Sequence, residues 1–427
     1  MTYHNAIKFI KNAPNVAPKE DSSSERILAL CNALGNPQKK IKYIRLAGSN
    51  GKTVCARMII SILNKAGILC GCLSMPIYSE IRENVRIGGE PISMDETVEY
   101  VTEIKEAVAR INAEKESDDS SIFSPTAHEI LLCVALLAFC AHKCNVCMIE
   151  SDHNGEDPSR FLPAPFAAII CGSIPNENRD KQDIYKIRSY ICRGVREIIS
   201  APQNTDAYKV IADTCSAVNC RLTIAAKNKI EIERLTLRGT DFSYKGTRYS
   251  LRICGKFQTV NALVAIESAE MLVRLGYAIS KEQICEGLSA VTAPCKFEIL
   301  SISPTIIADS THTPIAIEAV CDSLADFRDI TGTNVKLCLP DGELIPYYID
   351  ALTKRGYSIS AISALEVESV TKEERGEVTM PLTLSKTVKA TAKSALAELD
   401  PSTILLISGP SNFTRALRYE LLSILGF

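Results

Sequence analysis

The 427-residue chain has no tryptophan, and that absence alone says nothing about function. No uninterrupted apolar stretch reaches membrane-spanning length; the run Ile130 to Cys140 is too short. There is no excess charge of either sign. Lys and Arg number 48, Asp and Glu 50, and the two signs are interleaved. This argues against a nucleic-acid groove and against a membrane-binding face. No secretory signal is visible, because Met1 to Lys11 lacks a long apolar segment, so the expected location is cytoplasmic. There is no internal repeat and no low-complexity tract. No Gly-x-Gly-x-x-Gly follows the first apolar strand, which disfavours a nicotinamide-dependent reductase.

Cysteine, by contrast, is abundant, with 17 residues, an odd number. Most lie in apolar runs, such as Cys70-Gly71-Cys72 and Cys133. Without an export signal, these are expected to be reduced, buried, small hydrophobes. Cys144-Asn145-Val146-Cys147 has CxxC spacing, but it runs into an apolar strand and no second pair follows at zinc spacing. Core cysteines are expected there, with metal or redox use as the alternative.

The most informative segment is Gly48-Ser49-Asn50-Gly51-Lys52-Thr53. It lies between the apolar strand Tyr43 to Ala47 and an amphipathic helix from Val54 to Ala66, with Gly67 placed as a C-cap. A second apolar run, Ile68 to Met75, completes a βαβ unit. At such a turn, free backbone N–H groups and the helix dipole favour a polyphosphate. Lys52 would add a point charge at the β- and γ-phosphates, and Thr53 a hydroxyl for Mg2+. The plainer alternative is an ordinary βα turn with an exposed lysine.

Length and apolar content predict two or three domains. Helix Ser24 to Leu34 stops at Gly35-Asn36-Pro37. Met94 to Lys115, Pro125 to His142 and Ile184 to Ser200 read as helices, and Asn145 to Glu150 and Phe166 to Cys171 as strands. This alternation predicts an α/β fold with a doubly wound, mostly parallel sheet of the P-loop type. Short alternating segments from Tyr208 to Ile253 read as an antiparallel appendage to that first domain. Helices resume over Val260 to Gly276 and Lys281 to Ser289. Ala293-Pro294-Cys295 reads as a linker, and strands at 305–308, 335–339 and 403–407 indicate a second, smaller α/β domain. The predicted division is 1–293 and 297–427.

At this point the chain resembles the Mur ligase family, and within it the folylpolyglutamate synthases. The resemblance runs through Leu34-Gly35-Asn36-Pro37-Gln38, the loop 47–52, Arg82 to Ser93, Gly255-Lys256-Phe257-Gln258-Thr259-Val260-Asn261-Ala262 and Asp309-Ser310-Thr311-His312-Thr313-Pro314. These elements stand in the family's order and at its separations, over almost the whole chain. The resemblance implies a Rossmann-like C-terminal domain and an ATP-dependent carboxylate–amine ligase acting through an acyl phosphate, with Mg2+. The expected substrates are a small carboxylate such as a folate and an amino acid such as glutamate, and the expected state is a monomer.

Carried over residue by residue, the resemblance implies an ATP cradle of Gly48, Ser49, Asn50, Gly51, Lys52 and Thr53. Gln258 and Asn261 fall on the adenine side, Lys296 at the linker position where the family has an arginine, and Asp309 and His312 in the C-terminal element. Thr53, Ser74 and Glu129 match metal positions, and Lys52, Glu129 and His312 match catalytic ones. Simpler alternatives stand beside several of these: a strand-end serine for Ser74, a dipole-favoured first-turn acid for Glu129, a helix N-cap for Asn261. Glu150 ends a strand, where α/β sheets place ligand groups, and also matches a family glutamate. Asp152, Glu156 and Asp157 read as a solvated acidic loop.

The chain departs from the family at the second metal. Gly172 to Asn178 has no histidine, Glu177 being the only stand-in, and Cys192 or Arg193 falls where the family has a carbamylated lysine, with Lys181 and Lys186 out of register. An amide-forming ligase is the expected function. The alternative is a nucleotide-binding relative that no longer forms amides and serves as a binding partner.

Overall fold

The apolar segment around residue 44 forms the strand β1 (Tyr43–Gly48), buried at every position. A computed structural model describes residues 1–14, 23–48, 50–75, 80–114, 122–151, 157–172, 194–311, 313–367, 370 and 378–426. It divides into two compact units, residues 1–228 with 261–287, and residues 229–260 with 288–427.

In the first unit β1 is followed by the helix Lys52–Lys65, which begins two residues before the predicted start. The remaining strands are β2 (Cys70–Leu73), β3 (Val85–Ile87), β4 (Glu90–Pro91), β5 (Val146–Glu150), β6 (Ala167–Cys171), β7 (Glu197–Ser200) and β8 (Arg221–Ile224). Their order is β4-β3-β2-β5-β1-β6-β7-β8. Strands β2, β5, β1, β6, β7 and β8 run parallel, while β3 and β4 add an antiparallel edge. The chain steps from β1 outward to β2, then returns to β5 and crosses to β6. The carboxyl end of β1 therefore lies where strand order reverses, the place at which open α/β sheets bind ligands.

One core forms among the helices Tyr3–Asn12, Ser23–Ala33, Met94–Glu114 and Ala127–Ala141, together with residues of β2 and β5. The helix Ala127–Ala141 is buried almost all round, as its unbroken apolar sequence predicts. A smaller cluster packs the helix Thr205–Val218 against Ala168, Ile170 and Ile198.

Two predictions fail here. Residues 197–200 are a buried strand rather than the end of a helix. A short apolar run with two isoleucines suits either period, and pairing with β6 decides it. Tyr208 lies in a helix, and Arg221–Ile224 is the parallel edge of the first sheet, not part of an antiparallel appendage.

The second unit holds strands β9 (Ile230–Thr236), β10 (Gly239–Tyr244) and β11 (Thr247–Leu251), a small antiparallel sheet. It also holds β12 (Glu298–Ile302), β13 (Thr305–Asp309), β14 (Asn334–Pro340), β15 (Ser358–Leu365), β16 (Leu382–Ser385) and β17 (Thr403–Ser408), ordered β12-β13-β17-β14-β15-β16. All but the edge strand β12 run parallel. The small sheet groups with this unit rather than with the first. Leu235, Leu237 and Cys254 pack into the same core as Phe297, Phe327 and Val335. The division thus differs from 1–293 and 297–427, because contact follows those buried side chains rather than chain order. The predicted architecture otherwise holds: a doubly wound, mostly parallel sheet and a smaller α/β domain.

Candidate active site

Gly48 closes β1 with φ +111°, and a β-carbon there would lie 1.9 Å from the carbonyl oxygen of Cys171 on β6. Only glycine fits, because the two strand ends touch. Asn50 is exposed. Gly51 precedes the helix in a left-handed conformation, φ +86°. A β-carbon on Gly51 would meet Asn261 Oδ1 at 2.3 Å, so the Asn261 side chain lies directly against the loop. The first helical hydrogen bond runs from Cys55 N–H to the Gly51 carbonyl, 2.8 Å. With no side chain on Gly51 to cap the helix, its leading amides are suited to an anion. Lys52 Nζ reaches back to donate to the Gly48 carbonyl, 2.9 Å, which lays its charge across the loop.

Beside the loop, two strand ends gather polar groups. Glu150 ends β5 opposite Leu46 of β1 and is buried. The Thr53 hydroxyl lies 3.5 Å from Glu150 Oε2, and the Met75 amide donates to the same oxygen at 3.3 Å. Ser74 follows β2 and is fixed by Asn84, whose carbonyl accepts from Ser74 N–H and whose side-chain amide donates to the Ser74 carbonyl, both at 2.8 Å. The Cys55 thiol is pushed up by its hydrogen bond with Cys171 and by burial, and the Cys72 thiol by burial, with the Glu150 charge adding to both. A carboxylate and two hydroxyls are hard oxygen donors, and this set fits Mg2+.

Glu129 is placed elsewhere. Its Oε1 pairs with Arg26 Nη2 at 3.1 Å, and its Oε2 accepts from Arg26 Nε at 3.3 Å, both side chains being buried. The same carboxylate accepts from Thr126 N–H at 2.8 Å, while Glu129 N–H donates to the Thr126 hydroxyl at 3.2 Å. This reciprocal capping box starts the helix Ala127–Ala141. Both oxygens are therefore engaged in holding the fold, and the acid brought to Thr53 is Glu150.

In the second unit, three predicted residues converge. Gln258 is fully buried, and its side-chain amide donates to the Lys296 carbonyl at 3.2 Å. Asp309 ends β13, and its Oδ2 accepts from Phe297 N–H at 2.7 Å. Burial pushes the Asp309 carboxyl up, opposed by the Lys296 charge and by hydrogen bonds from Thr311. Ser49 and His312 lie outside the described residues, as do Asp152, Glu156, Glu177, Lys181, Lys186, Cys192 and Arg193.

Asp157 is not solvated, contrary to expectation. It is buried and accepts from Ser159 N–H at 3.0 Å, capping the short turn that starts at Pro158. Asp before Pro is a helix-start signal that could have revealed this. Of the CxxC pair, Cys147 is buried and Cys144 half-buried. Among the described residues, no group of three or more His, Cys, Asp or Glu is placed to hold a metal ion.

No family model matches the chain. It is 28% identical over 336 residues to the dihydrofolate synthase/folylpolyglutamate synthase of Mycobacterium tuberculosis, covering 73% of this chain and 69% of that one. It is 24% identical over 336 residues to the folylpolyglutamate synthase of Lacticaseibacillus casei, covering 76% and 77%. A UDP-N-acetylmuramoyl-L-alanyl-D-glutamate–2,6-diaminopimelate ligase of Clostridium acetobutylicum is 23% identical over 337 residues, covering 75% and 61%. The solved folylpolyglutamate synthetase from Lactobacillus casei superposes with a TM-score of 0.80 at 21% identity, covering 99% of this chain and all of that one. A solved FPGS–AMPPCP–folate complex gives the same TM-score, identity and coverage. The ordered motifs and these likenesses agree: the chain is similar to the folylpolyglutamate synthases and to a Mur ligase relative of theirs, and it has the fold of the solved folylpolyglutamate synthetase.

Proposed function

We propose that this protein is an ATP-dependent carboxylate–amine ligase that joins glutamate to a folate through an acyl phosphate. The observation that carries the proposal is the glycine-bounded loop at the end of β1, with Lys52 across it and Thr53 facing Glu150. The relatives' names, and an FPGS complex holding an ATP analogue and folate, support the choice of substrates.

In this reaction the loop amides and Lys52 hold the terminal phosphates, since catalysis of phosphoryl transfer is mainly positioning and charge stabilisation. Thr53 and Glu150, with Ser74 beside them, would hold Mg2+, which when bound neutralises charge on the phosphates. Asn261 shapes the loop through Gly51. Gln258, Lys296 and Asp309 are assigned to the nucleotide by family position, and His312 to the amino-acid side. We assign the protein to the cytoplasm, as a monomer.

The departures at the second-metal positions favour one other reading, a relative that binds nucleotide without forming amides. Incubation with Mg2+, ATP, a reduced folate and glutamate, followed by mass spectrometry, separates the two. A product heavier by one glutamyl residue supports the ligase. ATP binding with no product from any of several amino acids supports the second reading.

A further inference from the structure

At the amino end of β5 lies a pair of thiols that takes no part in the reaction above. Cys147 is the second residue of that strand, whereas Glu150, its last, faces Thr53 from the opposite end. Cys147 pairs with Tyr43 of β1 and Gly71 of β2, and its N–H donates to the Lys42 carbonyl at 2.9 Å. Cys144 is fixed from the other side. The helix Ala127–Ala141 closes in a turn at Lys143, φ +52°, and Cys144 N–H donates back to the Phe139 carbonyl at 3.0 Å. Between the two cysteines, Asn145 is held at three points. Its N–H donates to the Leu69 carbonyl and its side-chain oxygen accepts from Leu69 N–H, both at 2.9 Å, and its carbonyl accepts from the Tyr277 hydroxyl at 3.2 Å.

The chain bends at Asn145, and the two thiols meet as hydrogen-bond partners, Cys147 donating to Cys144. Cys147 is fully buried and Cys144 half-buried, so one sulfur of the pair reaches a reagent. The hydrogen bond from Cys147 holds the Cys144 thiol below its ordinary range, outweighing burial. The same contact, with burial, pushes the Cys147 thiol far up. A reachable thiolate with a protonated partner behind it is the division of labour that thiol–disulfide exchange needs. Backbone hydrogen bonds anchor both residues, so closing a ring between them demands little further ordering. Among the described residues three other pairs of thiols touch: Cys31 with Cys133, Cys55 with Cys171, and Cys215 with Cys220. Both members of the first two pairs are buried, and in the third the thiol held low, Cys215, is the buried one. Among the described residues no third His, Cys, Asp or Glu joins Cys144 and Cys147 in a metal-binding group, and two thiols alone fall short of a zinc set.

We infer that Cys144 and Cys147 form a redox-active dithiol that exchanges with small-molecule disulfides of the glutathione class. Cys144, having lost its proton to solvent, attacks one sulfur of the disulfide. A mixed disulfide forms, and one thiolate leaves and takes up a proton. Cys147 then gives its proton to solvent, and its sulfur attacks the Cys144 sulfur and expels the second thiolate, which is protonated in turn. Two protein thiols are thereby oxidised to one disulfide, and the small-molecule disulfide is reduced to two thiols. The exchange does not depend on the ligase reaction, since both cysteines lie at the other end of β5 from Glu150.

The test equilibrates the reduced, full-length protein with a series of mixtures of reduced and oxidised glutathione, followed by acid quenching, alkylation and tryptic cleavage. Cleavage after Lys143 and Arg160 leaves a peptide whose only cysteines are Cys144 and Cys147, with Cys140 on the preceding peptide. The expected product is a 144–160 peptide, unalkylated and lighter by two hydrogens, formed at oxidant levels that leave Cys133 and Cys171 fully alkylated. In the native protein Cys144 should alkylate roughly tenfold or more faster than Cys133. In Cys147→Ser the mixed disulfide has no second thiol to resolve it, so glutathione should remain on Cys144. A thermal melt checks that this variant folds; if it does not, the wild-type peptide decides alone. A 144–160 peptide that stays reduced across the series, a link from Cys144 to Cys140, or a folded Cys147→Ser protein that takes no glutathione overturns the dithiol.

Discussion

Arg26 and Glu129 form a buried, two-pronged ion pair across 103 residues of sequence, tying the helix Ser23–Ala33 to the helix Ala127–Ala141. The same carboxylate closes the capping box of the second helix. Arg26→Ala should therefore leave an uncompensated buried charge and cost about 3–5 kcal/mol of stability. Chemical denaturation measures this. A loss below about 1 kcal/mol would show that Glu129 does not depend on Arg26.

Glu129 and Glu150 can be told apart by their glutamine variants. Glu150→Gln keeps an acceptor for the Met75 amide but removes the charge facing Thr53. It should raise the Mg2+ concentration needed for half-maximal ATP binding by roughly tenfold, with little change in melting temperature. Glu129→Gln should do the reverse, lowering the melting temperature and leaving the Mg2+ response alone. Titration of Mg2+ against ATP binding, with a thermal melt for each variant, checks both. A Mg2+ shift confined to Glu129→Gln would return the metal role to that residue.

Lys52→Ala removes the charge laid across the phosphate loop. Affinity for ATP should fall by roughly ten- to a hundredfold, the worth of a charge-assisted hydrogen bond. Calorimetry reads it directly, and unchanged affinity would refute the phosphate cradle.

Gly48 and Gly67 make a matched pair of substitutions. Both have positive φ, but a β-carbon on Gly67 meets open space, whereas one on Gly48 strikes the Cys171 carbonyl. Gly67→Ala should cost only the conformational penalty, about 1–2 kcal/mol. Gly48→Ala should cost clearly more and abolish nucleotide binding, because the end of β1 must part from β6. Equal melting temperatures for the two variants would contradict this.

Burial raises the Asp309 carboxyl, so its ionised form is disfavoured in the folded state. For an acid with a raised folded value, the cost is absent below the ordinary aspartate value of about 3.9 and is fully present above the folded value. Asp309→Asn should thus match the wild-type stability near pH 3.5 and exceed it increasingly as the pH rises toward neutrality. Melting temperatures across that range test the sign. A variant less stable at pH 7 would mean that hydrogen bonds and Lys296 outweigh burial.

The β1–loop–helix unit was legible because everything that makes it lies within some twenty consecutive residues: an apolar strand, two glycines, a lysine and an apolar helical face. The choice between Glu129 and Glu150 was not. Both are acids at the ends of apolar segments. The partner that claims Glu129, Arg26, is remote in sequence, and Thr126 gives the only local hint through its capping-box spacing. The strand at 197–200 is hidden in the sequence because four residues carry too little periodicity, and its neighbour β6 is some thirty residues earlier. Alternation reveals the strands of the small sheet but not which core Leu237 enters.

The interleaving of β1 between β5 and β6 has a consequence for synthesis on the ribosome. Residues 43–53 emerge before the strands that flank them, which are about a hundred residues downstream, and Asn261, which abuts Gly51, is later still. A nascent polypeptide arrested before Cys171 has no wall for Gly48 to rest on. The phosphate loop therefore takes its final form only once β6 and Asn261 have been made, and β1 must wait, incompletely packed, for the neighbours that finish it.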